Sequence, residues 1–133
     1  TISIHGHPKF AYPYFSGFSD EKGEGEGKGF NVNYPLPEII TPERYLATLE
    51  KAVQRVRRFH PRYLVVPLGL DTAREDPTGT FTLEADNFHE IGRIIGSLKL
   101  PTIVVQEGGY DTRVLGINAV AFFRGLWSET FNR

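Results

Sequence analysis

Apolar positions recur at two different periods along the chain, and the alternation between those periods predicts an α/β fold. Over residues 41–59, Tyr45, Leu46, Leu49, Ala52, Val53, Val56 and Phe59 return every three or four positions, while Arg44, Lys51, Arg55 and Arg58 fall largely on the other side. That pattern is an amphipathic helix with one packed face. Thr41-Pro42-Glu43 supplies its start, with a hydroxyl at the N-cap, proline at the first helical position and an acid in the first turn. A second helix is predicted over 83–98, with Phe88, Ile91, Ile94, Ile95 and Leu98 inward and Pro101 as its stop, and a third over 113–129. Tyr63-Leu64-Val65-Val66-Pro67-Leu68 is a continuous apolar run, the pattern of a strand covered on both faces in a parallel sheet. Thr102-Ile103-Val104-Val105 reads as a second buried strand. Helix, strand, helix, strand, helix with short connections implies right-handed crossovers and a parallel sheet flanked by helices.

The first forty residues are less regular. Thr1-Ile2-Ser3-Ile4 alternates as a short strand that His5-Gly6-His7-Pro8 breaks, and residues 30–34 read as another, ended by Pro35 and Pro37. Between them lies a loop of about twenty residues, a length that in a compact domain is usually functional or disordered. Its aromatics, Phe10, Tyr12, Tyr14, Phe15 and Phe18, argue against disorder. There are no internal repeats and no linker, so residues 1–133 are expected to form one domain.

Charge and composition exclude several functions. Fifteen basic and sixteen acidic side chains leave a net charge of −1, which offers no basic excess for nucleic acid. No apolar run is long enough to span a membrane and no charged-then-apolar leader is present, so a cytoplasmic protein without membrane contact is expected. With no cysteine, any metal must be held by His, Asp or Glu. The chain has no methionine and opens at Thr1 on what reads as a strand in progress, so a fragment or processed piece is expected.

Ligands of open parallel sheets bind beyond the carboxyl ends of the strands. Ser3 to Pro8, Gly69 to Thr72 and Glu107 to Tyr110 are expected to converge there. Asp71, just past a strand end, suits a metal ligand or a base, and equally a turn cap. Tyr110 follows Gly108-Gly109, which let backbone approach a ligand closely and expose the phenol; packing at a strand-to-helix turn is the alternative. His5, His7 and Asp71 are a conceivable three-ligand metal set. Gly23-Glu24-Gly25-Glu26-Gly27-Lys28-Gly29 lacks the spacing and the Ser or Thr of a phosphate loop, and no strand precedes it and no helix follows it as a dinucleotide fingerprint requires. His60 and His89 read as surface or packing residues, and Arg55, Arg57, Arg58 and Arg62 as a solvated helix end.

Six ordered motifs, Ser3-Ile4-His5-Gly6, Tyr12-Pro13-Tyr14-Phe15, the glycine-rich stretch from Gly23, Asn33-Tyr34-Pro35, Leu68-Gly69-Leu70-Asp71-Thr72 and Glu107-Gly108-Gly109-Tyr110, resemble the zinc-dependent histone deacetylases, most closely their bacterial acetylpolyamine amidohydrolase relatives. The resemblance covers nearly the whole chain. It implies the arginase-like α/β fold and zinc-dependent hydrolysis of an acetylated amine, either an acetylpolyamine or acetyl-lysine. It makes Asp71 a zinc ligand and Tyr110 the catalytic phenol that hydrogen-bonds the substrate carbonyl. Phe15, Gly108 and Gly109 become substrate-binding residues, Phe15 as one wall of an acyl tunnel, and Ser3 with the backbone of Ile4 holds a structural potassium ion. Zinc would polarise the acetamide carbonyl and activate its bound water, with the phenol donating to the developing oxyanion.

The same resemblance places the other zinc ligands and the tandem-histidine acid/base pair ahead of Thr1. The chain therefore reads as the C-terminal part of a deacetylase catalytic domain, carrying part of the active site and inactive alone. At Thr78 the acidic gatekeeper of a vertebrate polyamine-selective member is absent, which leaves polyamine against lysine substrates open. The resemblance to the bacterial relatives also raises the expectation of a homo-oligomer. Two other functions remain: a metal-dependent ureohydrolase, disfavoured because such chemistry has no need of the Tyr110 phenol, and a non-catalytic module that assembles with a partner chain through an unpaired sheet edge.

Overall fold

A computed structural model describes residues 1–131, as two compact units, residues 1–40 and 41–131. In the first unit, strand β1 (Ile2–Gly6) pairs in parallel with β2 (Val32–Leu36), Ile2 opposite Val32 and Gly6 opposite Leu36. Both strands run further than the sequence predicts. β1 continues through His5 and Gly6, and β2 starts two residues late and passes through Pro35. Proline lacks only an N–H, and on an edge strand that donor can face away from the ladder at no cost. The intervening loop contains one 3-10 turn, Gly25–Gly27, and is closed by the Gly29 N–H donating to the Lys22 carbonyl at 2.7 Å.

The second unit holds α1 (Pro42–Phe59), β3 (Leu64–Leu68), α2 (Ala85–Gly96), β4 (Thr102–Gln106) and α3 (Leu115–Phe131). α1 begins as its cap predicts, with the Arg44 N–H donating to the Thr41 hydroxyl at 3.4 Å. α2 is shorter at both ends than expected. Glu84 is extended and forms a capping box with Asn87, whose side-chain oxygen accepts from the Glu84 N–H at 2.9 Å, so Leu83 stays outside the helix. α3 starts two residues late, because the Asp111 carboxylate accepts from the Arg113 N–H at 3.1 Å and holds the preceding residues in a turn.

β3 and β4 pair in parallel, Val65 opposite Ile103 and Pro67 opposite Val105. These four residues share one face, and that face is exposed: Val65 is 58%, Ile103 65% and Val105 44% accessible. The expectation of strands covered on both faces is corrected here, since the helices of this chain leave one side of the pair uncovered. Phe59, placed inward by its spacing, also ends exposed at the last residue of α1.

The core of this unit sits where α2 meets α3, around Phe88, Ile91 and Phe122. Backbones touch there. A Cβ on Gly125 of α3 would collide with the His89 carbonyl of α2 and lie 2.9 Å from the Arg93 nitrogen, and one on Gly92 would meet the Phe122 carbonyl. Glycine to alanine inside a helix ordinarily gains about 1 kcal/mol of stability. At Gly125 the sign reverses: Gly125→Ala should cost about 1–3 kcal/mol through overpacking, read by urea unfolding.

Candidate active site

The site of the second unit is built at the carboxyl ends of β3 and β4, where the parallel pairing runs on past both strands. The Glu107 N–H donates to the Leu68 carbonyl at 2.9 Å, and the Leu70 N–H donates to the Gly108 carbonyl at 2.7 Å. These bonds bring Gly69-Leu70-Asp71 beside Glu107-Gly108-Gly109-Tyr110, as the sequence predicts for two of its three converging segments. The half-buried Asp71 carboxylate lies in a slot that only glycines leave open. A Cβ on Gly108 would fall on its Oδ2, and one on Gly69 would sit 2.6 Å from its Oδ1. Gly109 adopts φ +144, a backbone conformation that disfavours any side chain, and a Cβ there would crowd Leu70 and Leu115.

Burial pushes the Asp71 carboxyl above its ordinary value; a backbone hydrogen bond opposes this and the nearby Asp76 charge adds to it. Burial, with the Asp71 charge second, pushes the Tyr45 phenol of α1 up to about 12. Tyr45 packs edge-on against Phe81, ring centroids 5.9 Å apart. Tyr110 itself stands out from the loop, 57% exposed.

Sequence reasoning missed Asp76. Its carboxylate is buried, 5% exposed, and accepts four hydrogen bonds. Oδ1 takes the Thr78 N–H at 3.0 Å and the Thr78 hydroxyl at 2.9 Å. Oδ2 takes the N–H groups of Tyr110 at 2.8 Å and Asp111 at 3.2 Å. Burial alone would raise its pKa, but these bonds to the charged form outweigh it and hold the carboxyl below its usual range. Asp-Pro followed by a hydroxyl residue is an Asx-turn signal and was the available clue to half of this arrangement. Next along the loop, Asp111 is buried and gripped by the Arg113 guanidinium at 2.8 and 2.9 Å, which lowers its pKa.

In the first unit the histidines have local partners. His5 Nδ1 is 2.7 Å from the Ser3 hydroxyl and its Nε2 2.9 Å from the Gly17 carbonyl. A carbonyl only accepts, so Nε2 carries the proton and, in the neutral ring, the Ser3 hydroxyl donates to Nδ1. His7 packs edge-on against Phe18 and accepts from the Lys9 N–H at 3.1 Å. Among the described residues no three His, Asp or Glu side chains are gathered to hold a metal ion. A catalytic zinc takes three protein ligands. The described residues therefore do not by themselves gather such a ligand set. Phe15 is 80% exposed on the aromatic loop, Ile4 is half-buried in β1, and His60 and His89 are surface residues as expected.

The sequence matches the histone deacetylase domain family over residues 1–126. It is 44% identical over 125 residues to the acetylpolyamine amidohydrolase of Burkholderia pseudomallei, covering 94% of this chain and 37% of the relative. Acetylpolyamine amidohydrolase 2 of Pseudomonas aeruginosa is 43% identical over 93% of this chain and 36% of its own length. Among solved structures, the Burkholderia acetylpolyamine aminohydrolase superposes with a TM-score of 0.94 at 43% identity, over 96% of this chain and 37% of that one. An HDAC homologue from Aquifex aeolicus gives 0.83 at 32% identity, over 99% of this chain and 35% of that one. The chain belongs to the histone deacetylase domain family, and its fold is the α/β deacetylase fold with parallel sheets flanked by helices. It spans a little over a third of the length of these relatives. Among the described residues no helix is long and apolar enough to cross a membrane.

Proposed function

We propose that this chain contributes one part of the active site of a zinc-dependent amidohydrolase acting on a small acetylated amine, of the acetylpolyamine or acetyl-lysine type. The observation that carries this is the Asp71 carboxylate, seated in its glycine slot beside the Tyr110 loop at the sheet's carboxyl edge, in a chain 44% identical to an acetylpolyamine amidohydrolase. Asp71 supplies one zinc ligand, and further ligands come from outside these residues. When bound, zinc acts as a Lewis acid on the acyl carbonyl and its water. The Tyr110 phenol donates a hydrogen bond to the acyl oxygen as charge develops there, Gly108 and Gly109 let the loop backbone pass close against Asp71 and Leu70 and so place that phenol, and Phe15 of the first unit is a further substrate-binding residue. In the first unit the Ser3 hydroxyl, which bonds His5, and the backbone of Ile4 would help hold a structural potassium ion.

The apolar face of Val65, Pro67, Ile103 and Val105 supports the partial-domain reading, because a continuous run of this kind belongs under cover. It equally favours the second reading, a non-catalytic module that docks on a partner chain or another copy of itself. A chimera separates them. With this chain replacing the matching part of the Burkholderia acetylpolyamine amidohydrolase, zinc-dependent hydrolysis of an acetylated polyamine is expected, while the 133-residue chain alone shows none. A folded chimera without turnover sinks the enzymatic reading, and turnover by the chain alone sinks the partial site.

A further inference from the structure

We propose that Asp76 is a positioning residue that fixes the Tyr110 loop and Thr78 against one another; its catalytic relevance rests on the role given to Tyr110 above. One carboxylate joins two loops. Oδ1 serves Thr78, two residues on, while Oδ2 serves Tyr110 and Asp111, which are 34 and 35 residues away. Each oxygen accepts two bonds, close to the capacity of a carboxylate, and charge-assisted bonds of this kind are the strong ones.

The loop needs such an anchor. Gly109 immediately precedes Tyr110 at φ +144, and a glycine restrains its neighbours less than any other residue. Asp76 restrains the far side of that glycine by the first backbone amide after it. The bonds also have a chemical consequence. The Tyr110 and Asp111 amides point at Asp76, so they are unavailable as oxyanion donors, while the Tyr110 phenol stands exposed. Likewise the Thr78 hydroxyl donates its proton to Asp76, so the exposed Thr78 meets a substrate as an acceptor.

Asparagine in place of Asp76 retains one acceptor oxygen and turns an NH2 toward two groups that also donate. In the 133-residue chain, Asp76→Asn should speed amide hydrogen exchange at Tyr110 and Asp111 by about tenfold or more, as loss of a charge-assisted bond requires, relative to Ile94 in α2 and Asn118 in α3. Thr78→Val removes only the hydroxyl bond to Oδ1, and should raise exchange at the same two amides by a smaller factor although Thr78 bonds neither of them. Equal acceleration at Ile94 and Asn118 would mean general destabilisation and overturns the proposal, as does unchanged exchange at Tyr110. In the Burkholderia chimera, Asp76→Asn should lower kcat and leave KM, the mark of an interaction made in the transition state; a rise in KM alone overturns the positioning role. If the chimera never turns over, the functional reading falls while the exchange measurements still decide whether Asp76 holds the loop.

Discussion

Replacing Tyr110 by phenylalanine in the Burkholderia chimera should lower turnover of an acetylated polyamine by about 100- to 1,000-fold, the usual effect of removing one donor to a developing oxyanion. The expected size follows from how the loop spends its other donors. The Glu107 N–H is taken by the Leu68 carbonyl, and the Tyr110 and Asp111 N–H groups are taken by Asp76. With those three amides committed to the fold, none of them can stand in for the phenol. Stability should change by less than about 0.5 kcal/mol, because the ring is 57% exposed and losing its hydroxyl opens no cavity. KM should move little, since the bond strengthens only as charge develops. Full activity in Tyr110→Phe would remove the phenol from the chemistry and return Tyr110 to the packing role its position also allows. It would also reopen the ureohydrolase reading, which has no need of that hydroxyl.

Much of this site is legible in the amino-acid sequence, and the boundary of what is legible follows from the range of the interactions. Thr41-Pro42-Glu43 marks the start of α1 because a cap is satisfied within one turn. Asp71 and Tyr110 stand out because apolar runs locate strand ends, and in a parallel sheet those ends carry the ligand. Asp76 does not stand out. Half of its bonds come from residues more than thirty positions away, which no local pattern records. Gly92 and Gly125 are hidden for the same reason: in sequence each is a weak helix residue, and only the facing backbone explains it. The run from Leu64 to Leu68 misleads in another way. It records that the strand suits burial on both faces, while the helices of this chain cover one face. Phe15, Ser3 and Ile4 owe their assignments to the resemblance alone, since neither period nor spacing singles them out.

Zinc titrated calorimetrically into the 133-residue chain should show no binding in the micromolar range, and in the chimera Asp71→Asn should weaken zinc by more than about a hundredfold. The first expectation comes from the ligand count. Asp71 stands without two metal-ligand neighbours among the described residues, so a lone ion would be held by a single donor. The second follows from the slot between Gly69 and Gly108. Asparagine fits the same space, so the fold should survive while the charge is lost, and removing even an outer-shell partner of a metal commonly costs about 10- to 100-fold in affinity. Micromolar binding by the chain alone, abolished by Asp71→Asn, would show a site gathered from this chain's own residues or from a second copy. His5 and His7 would then be the ligands to test, and His5 would first have to give up its bonds to Ser3 and Gly17. Aspartate to asparagine without effect on zinc in the chimera would instead take Asp71 out of the metal site and leave it as a cap on the turn after β3.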